Sequence, residues 1–90
     1  MIKVERKTDK EFSVVVEEGD TKTEHIVSLD DEYYKDLTQR KISKEELIRK
    51  SFEFLLEREA KESILSRFNL KIINNYFSEF EKEIRASFTR

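Results

Sequence analysis

The chain contains no cysteine, no proline and no tryptophan, and only one glycine and one histidine. Without cysteine there is no disulfide, no thiolate nucleophile and no cysteine-ligated zinc. One glycine is too few for a glycine-rich phosphate loop. One histidine, His25, has no second histidine or cysteine with which to hold a catalytic metal. No apolar run approaches the ~18 residues needed to cross a bilayer as a helix. Charge of one sign is missing as well: charged residues make up 42% of the 90, yet the net charge is −2. Such a balance lacks the strong single-sign field of a general nucleic-acid or membrane binder.

What is present is a modest apolar complement. Leu, Ile, Val and Phe number 27 of 90 residues, above the ~20% floor below which disorder is expected. Ninety residues suffice for one small core and not for two, so a single domain over 1–90 is expected. The absence of cysteine fits a reducing compartment. Alternation starts at Ile2, leaving no room for a signal peptide, and a cytoplasmic protein with no membrane partner is expected.

Residues 1–30 alternate with period two, the pattern of half-buried strands. Ile2 and Val4 share a face, as do Phe12, Val14 and Val16, and then His25, Val27 and Leu29. Pairing Val4 with Val14 and Ile2 with Val16 leaves Thr8-Asp9-Lys10 as a loop. Pairing Val14 with His25 and Phe12 with Val27 leaves Gly19-Asp20 as a turn, with the only glycine at the first central position of a type II′ hairpin. The expectation is a three-stranded antiparallel meander with one apolar face.

From Asp30 the period becomes helical. Asp30 can cap a short helix carrying Tyr33, Tyr34 and Leu37, ending in the polar stretch 38–41. Ser43-Lys44-Glu45-Glu46 has capping-box spacing, flanked by the staple pair Ile42 and Leu47. In the helix that follows, Leu47, Ile48, Phe52, Phe54, Leu55 and Leu56 span roughly a 200° arc, too wide for one neighbour, so this helix should lie between the sheet and a second layer. Ile64, Leu65 and Phe68 mark another short helix, and Asn69 caps the next. Ile73, Tyr76, Phe77, Phe80, Ile84 and Phe88 then fall within roughly a 120° stripe, with a bend at a second capping-box spacing, Ser78 to Glu81. The fold class is α+β: a meander over 1–30, then a helical part over 31–90 made of a short helix, a long central helix and a C-terminal helical segment. The expected core is Leu47, Phe52, Leu55, Ile73, Phe77, Phe80 and Ile84.

The stretches SFEFLLERE, SILSRFNLKIINNYF and EFEKEI, from Ser51 to Ile84, resemble a group of small uncharacterised bacterial proteins. The resemblance implies a β-meander followed by helices in a bacterial cytoplasm, and it brings no activity, cofactor or site residue. In that group proline often stands where this chain has Lys44, Ala60 and Ser78. Its absence here leaves open whether two helices run together through Ala60.

For function, the residues point away from catalysis. His25 reads as a half-buried histidine on the sheet's apolar face. Carboxylates are so abundant that an acid–base pair is no signal. No catalytic, cofactor-binding or metal-binding residue is expected, and the chain reads as a non-enzyme. Ile64 to Phe77 has a helix–turn–helix outline, and asparagine reads adenine well. However, residues 61–90 carry six basic against four acidic groups, which offers few phosphate contacts. Asn74 and Asn75 therefore read as solvated helix positions. The better basic patch is the loop at Arg40, Lys41 and Lys44, the candidate phosphate contacts of a nucleic-acid-binding alternative. The favoured reading is a protein-interaction module, docking on another protein or on itself as a homodimer, because Phe54, Ile72 and Phe88 have no evident cover. Contiguous exposed aromatics would mark such an interface.

Overall fold

Cross-strand pairing of the alternating segments builds the first half of the molecule. The computed structural model describes residues 1–89; Arg90, the last residue of the expected domain span, lies outside it. Strands β1 (Ile2–Arg6), β2 (Glu11–Glu18) and β3 (Thr21–Ser28) form the antiparallel meander. Its register pairs Ile2 with Val16, Val4 with Val14, Val14 with His25 and Phe12 with Val27, as the shared faces require. The Lys7 N–H donates to Glu11 O at 2.9 Å, closing the Thr8–Lys10 loop. At the second turn Gly19 has φ +60° and Asp20 does not have a positive φ, the combination a type II′ turn uses.

Helix α1 (Asp31–Thr38) follows. Asp30 stands at its N-cap without a side-chain capping bond; its carboxylate instead accepts from Asn69 Nδ2 at 3.4 Å and lies 3.8 Å from Lys71 Nζ. The α1 exit turns through Gln39 and Arg40, both left-handed at φ 53° and 61°. Buried Thr38 stabilises that turn, because its hydroxyl donates to Tyr34 O and accepts from the Arg40 N–H. Helix α2 (Lys44–Leu56) starts as the capping box predicts, with Ser43 Oγ accepting from the Glu46 N–H at 3.0 Å. Arg49 of α2 donates to Ile2 O at 2.6 Å, tying the helix to the edge strand β1.

Beyond α2 the chain departs from expectation. A 3-10 turn (Lys61–Ser63) leads into a fourth strand, β4 (Arg67–Asn69), which pairs parallel with β3 through Ile26–Arg67, Val27–Phe68 and Ser28–Asn69. The sheet thus has four strands in the order β1-β2-β3-β4. The expected helix at Ile64, Leu65 and Phe68 does not form. Those apolar positions have helical spacing, but three residues of strand are too few to show alternation. The helix–turn–helix outline goes with it, since its first helix is absent. Asn69 does cap: its Oδ1 accepts from the Lys71 N–H at 3.1 Å, starting a 3-10 turn (Leu70–Ile72) that runs into the short helix α3 (Ile73–Tyr76).

The chain breaks at Ala60 and before Ser78 without any proline. Ala60 is extended at φ −70°, ψ 154°, and Phe77 at φ −132°, ψ 94°. Helix α4 (Phe80–Phe88) then starts from Glu79, and no side-chain capping bond forms at that N-cap. Asn74 serves the new helix instead, its Oδ1 accepting from the Glu81 N–H at 3.2 Å. It is therefore a half-buried structural residue, not the solvated position expected of it.

The core lies between the apolar face of the sheet and the helices. Phe12, Val14, Val16, Val27 and Leu29 meet Leu47, Ile48, Phe52 and Leu55, and Phe80 and Ile84 of α4 close over the far side. The wide arc of α2 is indeed covered by two layers. Of the expected core residues only Phe77 is half-buried. The radius of gyration is 12.3 Å, against about 12 Å expected for one domain of this length.

Candidate functional site

The end of α2, the 59–65 segment and α3 enclose an apolar recess, and each wall is fixed by an identifiable bond. At the α2 terminus the Arg58 guanidinium lies 3.6 Å from the centroid of the Phe54 ring. It donates to Phe54 O at 3.0 Å, to Glu79 at 3.2 Å and to Glu83 at 2.9 Å, clamping α2 to the start of α4. The Glu79 carboxyl is held below the usual carboxylate range by its own backbone N–H and then by Arg58.

Next along the chain, Lys61 is 5% exposed. Its ammonium lies 2.8 Å from Glu62 and 3.6 Å from Glu18, pinning the segment to the end of β2. The hydrogen bond that the ammonium donates to Glu62, followed by Coulomb attraction to Glu62 and Glu18, raises the Lys61 pKa against the opposing effect of burial.

His25 forms the third fastening. It is 2% exposed on β3, tilted against the Phe52 ring at 5.3 Å. Its Nδ1 lies 2.8 Å from Leu65 O and its Nε2 2.8 Å from Thr23 Oγ1. A carbonyl only accepts, so Nδ1 carries a proton and donates, and Nε2 shares a hydrogen bond with the Thr23 hydroxyl. Beside it the Ile26 N–H donates to Ser66 O at 2.8 Å. The histidine thus latches the 64–66 segment to the sheet.

These bonds leave a groove of about 290 Å³. Leu55, Ile64, Phe68 and Ile73 form its buried floor, and half-buried Ile72 and Phe77 form one side. At the rim stand Leu65, 49% exposed, and Tyr76, 70% exposed, together with Ser63 and Glu59. Glu59 is the one charged residue of the lining, and it has no hydrogen-bond or ion-pair partner among the described side chains. The volume is at the lower end of ligand-sized pockets, and an apolar floor under an aromatic rim suits a side chain better than a polar metabolite.

The residues singled out in the sequence fare differently. Phe54 is not available to a partner: it is 5% exposed, edge-on to Phe77 at 5.9 Å and to Phe80 at 5.1 Å, and covered by Arg58. Ile72 lines the groove. Phe88 is partly buried against the core from the last turn of α4 and takes no part in the groove. On the other side, Arg40 and Lys41 are exposed. Lys44 is committed within the protein, to Asp9 O at 2.7 Å and to the Asp31 carboxylate, with Tyr34 5.7 Å away. A shallow polar depression at Lys35, Asp36, Gln39 and Arg40 adjoins that loop. Its acidic residue weakens it as a phosphate site.

Leu65 and Tyr76 were missed because the spacing assigns Leu65 to a short helix with Ile64 and Phe68, and Tyr76 to the apolar stripe of the C-terminal segment. The signal for Tyr76 was its position just before a helix break: once α3 ends, its phase no longer continues into α4. Among the described residues no group of three or more His, Asp or Glu side chains could hold a metal ion, and no helix is long and apolar enough to cross a membrane. Compared with family models, with curated proteins and with solved structures, the chain matches none of them.

Proposed function

We propose that this chain is a small, non-catalytic protein-interaction module of a bacterial cytoplasm, and that it docks its partner in the groove between the 59–65 segment and α3. One observation carries the reading. Only three large apolar or aromatic side chains among the described residues are exposed, Met1, Leu65 and Tyr76, and two of them border this one groove. Tyrosine is a preferred interface anchor because it presents a rigid ring with a hydroxyl. The test is affinity capture from the source cells with wild type and with a Leu65→Ser/Tyr76→Ser variant whose circular dichroism is unchanged. A specific protein retained by the wild type and lost with the variant is the expected result; identical captures, or none, overturn the reading. The competing reading, nucleic-acid binding through Arg40 and Lys41, requires a mobility shift at low salt that weakens steeply as salt rises.

A further inference from the structure

The charge around the groove narrows what it takes. Resting on the docking reading above, we infer that its occupant is a short segment of a partner protein that sets a large apolar side chain beside a lysine or arginine. Glu59 supplies the first half of the case: a half-buried carboxylate, unpaired within the described protein, at the rim of an otherwise uncharged apolar recess. Its neighbours cannot neutralise it. Arg58 is bound to Glu57, Glu79 and Glu83, and Lys61 to Glu18 and Glu62. Counting Glu59, these two cations stand among six carboxylates, a local excess of four negative charges. A basic group entering beside Glu59 gains a charge-assisted bond at the edge of a low-dielectric surface.

Size supplies the second half. A stable dimer buries about 800 Å² per partner, from 20–30 residues a side. Ten residues line this groove, and its volume holds one large side chain with part of a second. Nor does the chain have excess surface awaiting a second copy: it exposes 5664 Å², against about 5,600 Å² expected of a folded monomer of its mass. Two copies would also bring two such acidic rims together. A peptide with an apolar anchor in the recess and its basic group on Glu59 satisfies both the volume and the charge.

The test selects ligands without assuming a sequence. A phage-displayed library of random short peptides is panned on the whole protein, and the most enriched clone is synthesised and titrated against wild type and variants. The expected clones pair an aromatic residue or leucine with lysine or arginine. Their binding disappears with Leu65→Ser/Tyr76→Ser and falls about tenfold with Glu59→Gln, and Glu59→Lys turns the selection toward acidic peptides. Peptides that need Leu65 and Tyr76 but carry no basic residue, or that bind Glu59→Gln as tightly as wild type, overturn this inference and leave the docking reading standing. A library that yields no groove-dependent binder overturns both. A groove-dependent dimer in sedimentation equilibrium overturns the inference in favour of a second copy as the occupant.

Discussion

In the meander each strand pairs with its neighbour in sequence, across loops of three and two residues. Beyond Leu56 the chain instead reaches back across the molecule. Ser66 accepts from Ile26, Leu65 from His25, and Lys61 meets Glu18. Local pairing costs little loop-closure entropy and fixes its register through side-chain faces. Long-range fastening depends on single bonds that no local pattern announces. The groove is built in the second region, and its walls rest on those single bonds.

The largest effect should come where the two regions share a residue. Phe52 is fully buried, set between the tilted rings of His25 at 5.3 Å and Phe68 at 6.0 Å, so it ties β3, α2 and β4 together. Phe52→Ala should destabilise the fold by about 3–5 kcal/mol, read as the midpoint of urea denaturation. A loss below ~1 kcal/mol would mean that the second region hardly rests on the first.

His25→Leu is the sharper separation. The leucine keeps an apolar side chain on β3 but leaves Leu65 O without its donor, at a cost of about 1–3 kcal/mol for a buried unsatisfied group. Hydrogen exchange should quicken at the Ile26 amide, which bonds Ser66, while the β1–β2 amides stay protected. Uniform quickening across all strands would show that the latch is not local.

The meander has its own single point of dependence at Gly19, whose φ of +60° disfavours any side chain although nothing lies within 4 Å of an added Cβ. Gly19→Ala should therefore cost about 1 kcal/mol, from backbone strain alone, and leave the groove's chemical shifts unchanged.

Acid should loosen both regions together. Asp31 and Glu45 anchor the first through Lys44 and Arg6, Glu62 and Glu79 the second through Lys61 and Arg58. All four carboxyls are held below their ordinary values: Asp31, Glu45 and Glu62 chiefly by the hydrogen bond from the paired cation, and Glu79 by its own backbone N–H and then by Arg58. The folded state therefore binds fewer protons than the unfolded chain near pH 4, so this stabilisation is complete above the ordinary carboxyl values of about 4 and is lost as pH falls through the lowered ones. The carboxylates of these pairs are at least 40% exposed and so screened, so each contributes little and added salt should shrink the effect. Denaturation midpoints that do not fall between pH 7 and pH 3 would contradict it.

How much of this was legible in the sequence follows the same division. Alternation and the lone glycine specify the meander to the residue, and the Ser43 capping box specifies the start of α2. The fourth strand was invisible, because Arg67-Phe68-Asn69 carries no period of its own and its partner lies some 40 positions away in β3. Phe54 was misjudged for a related reason. A helical wheel shows which way it points, but not that Arg58 folds over it or that Phe77 and Phe80 turn back to meet it. The latch was hidden most completely: His25 could be placed on the apolar face, but a backbone carbonyl is its partner, and carbonyls leave no mark in a sequence.

The smallest effect on stability carries the most functional weight. Tyr76 is 70% exposed at the groove's rim, and its hydroxyl has no partner among the described residues. Truncating it removes little buried area, and exposed substitutions of this kind usually stay within about 0.5 kcal/mol. Tyr76→Ser should thus fold like wild type, with the same denaturation midpoint and the same protection at Ile26. An aromatic anchor at an interface, by contrast, is commonly worth about 2 kcal/mol or more, which is roughly a thirtyfold loss of affinity for a groove-binding peptide. Measuring both quantities on one variant separates two roles for the exposed ring. A large stability loss would make Tyr76 part of the second region's packing; unchanged stability with lost binding would make it part of a docking site.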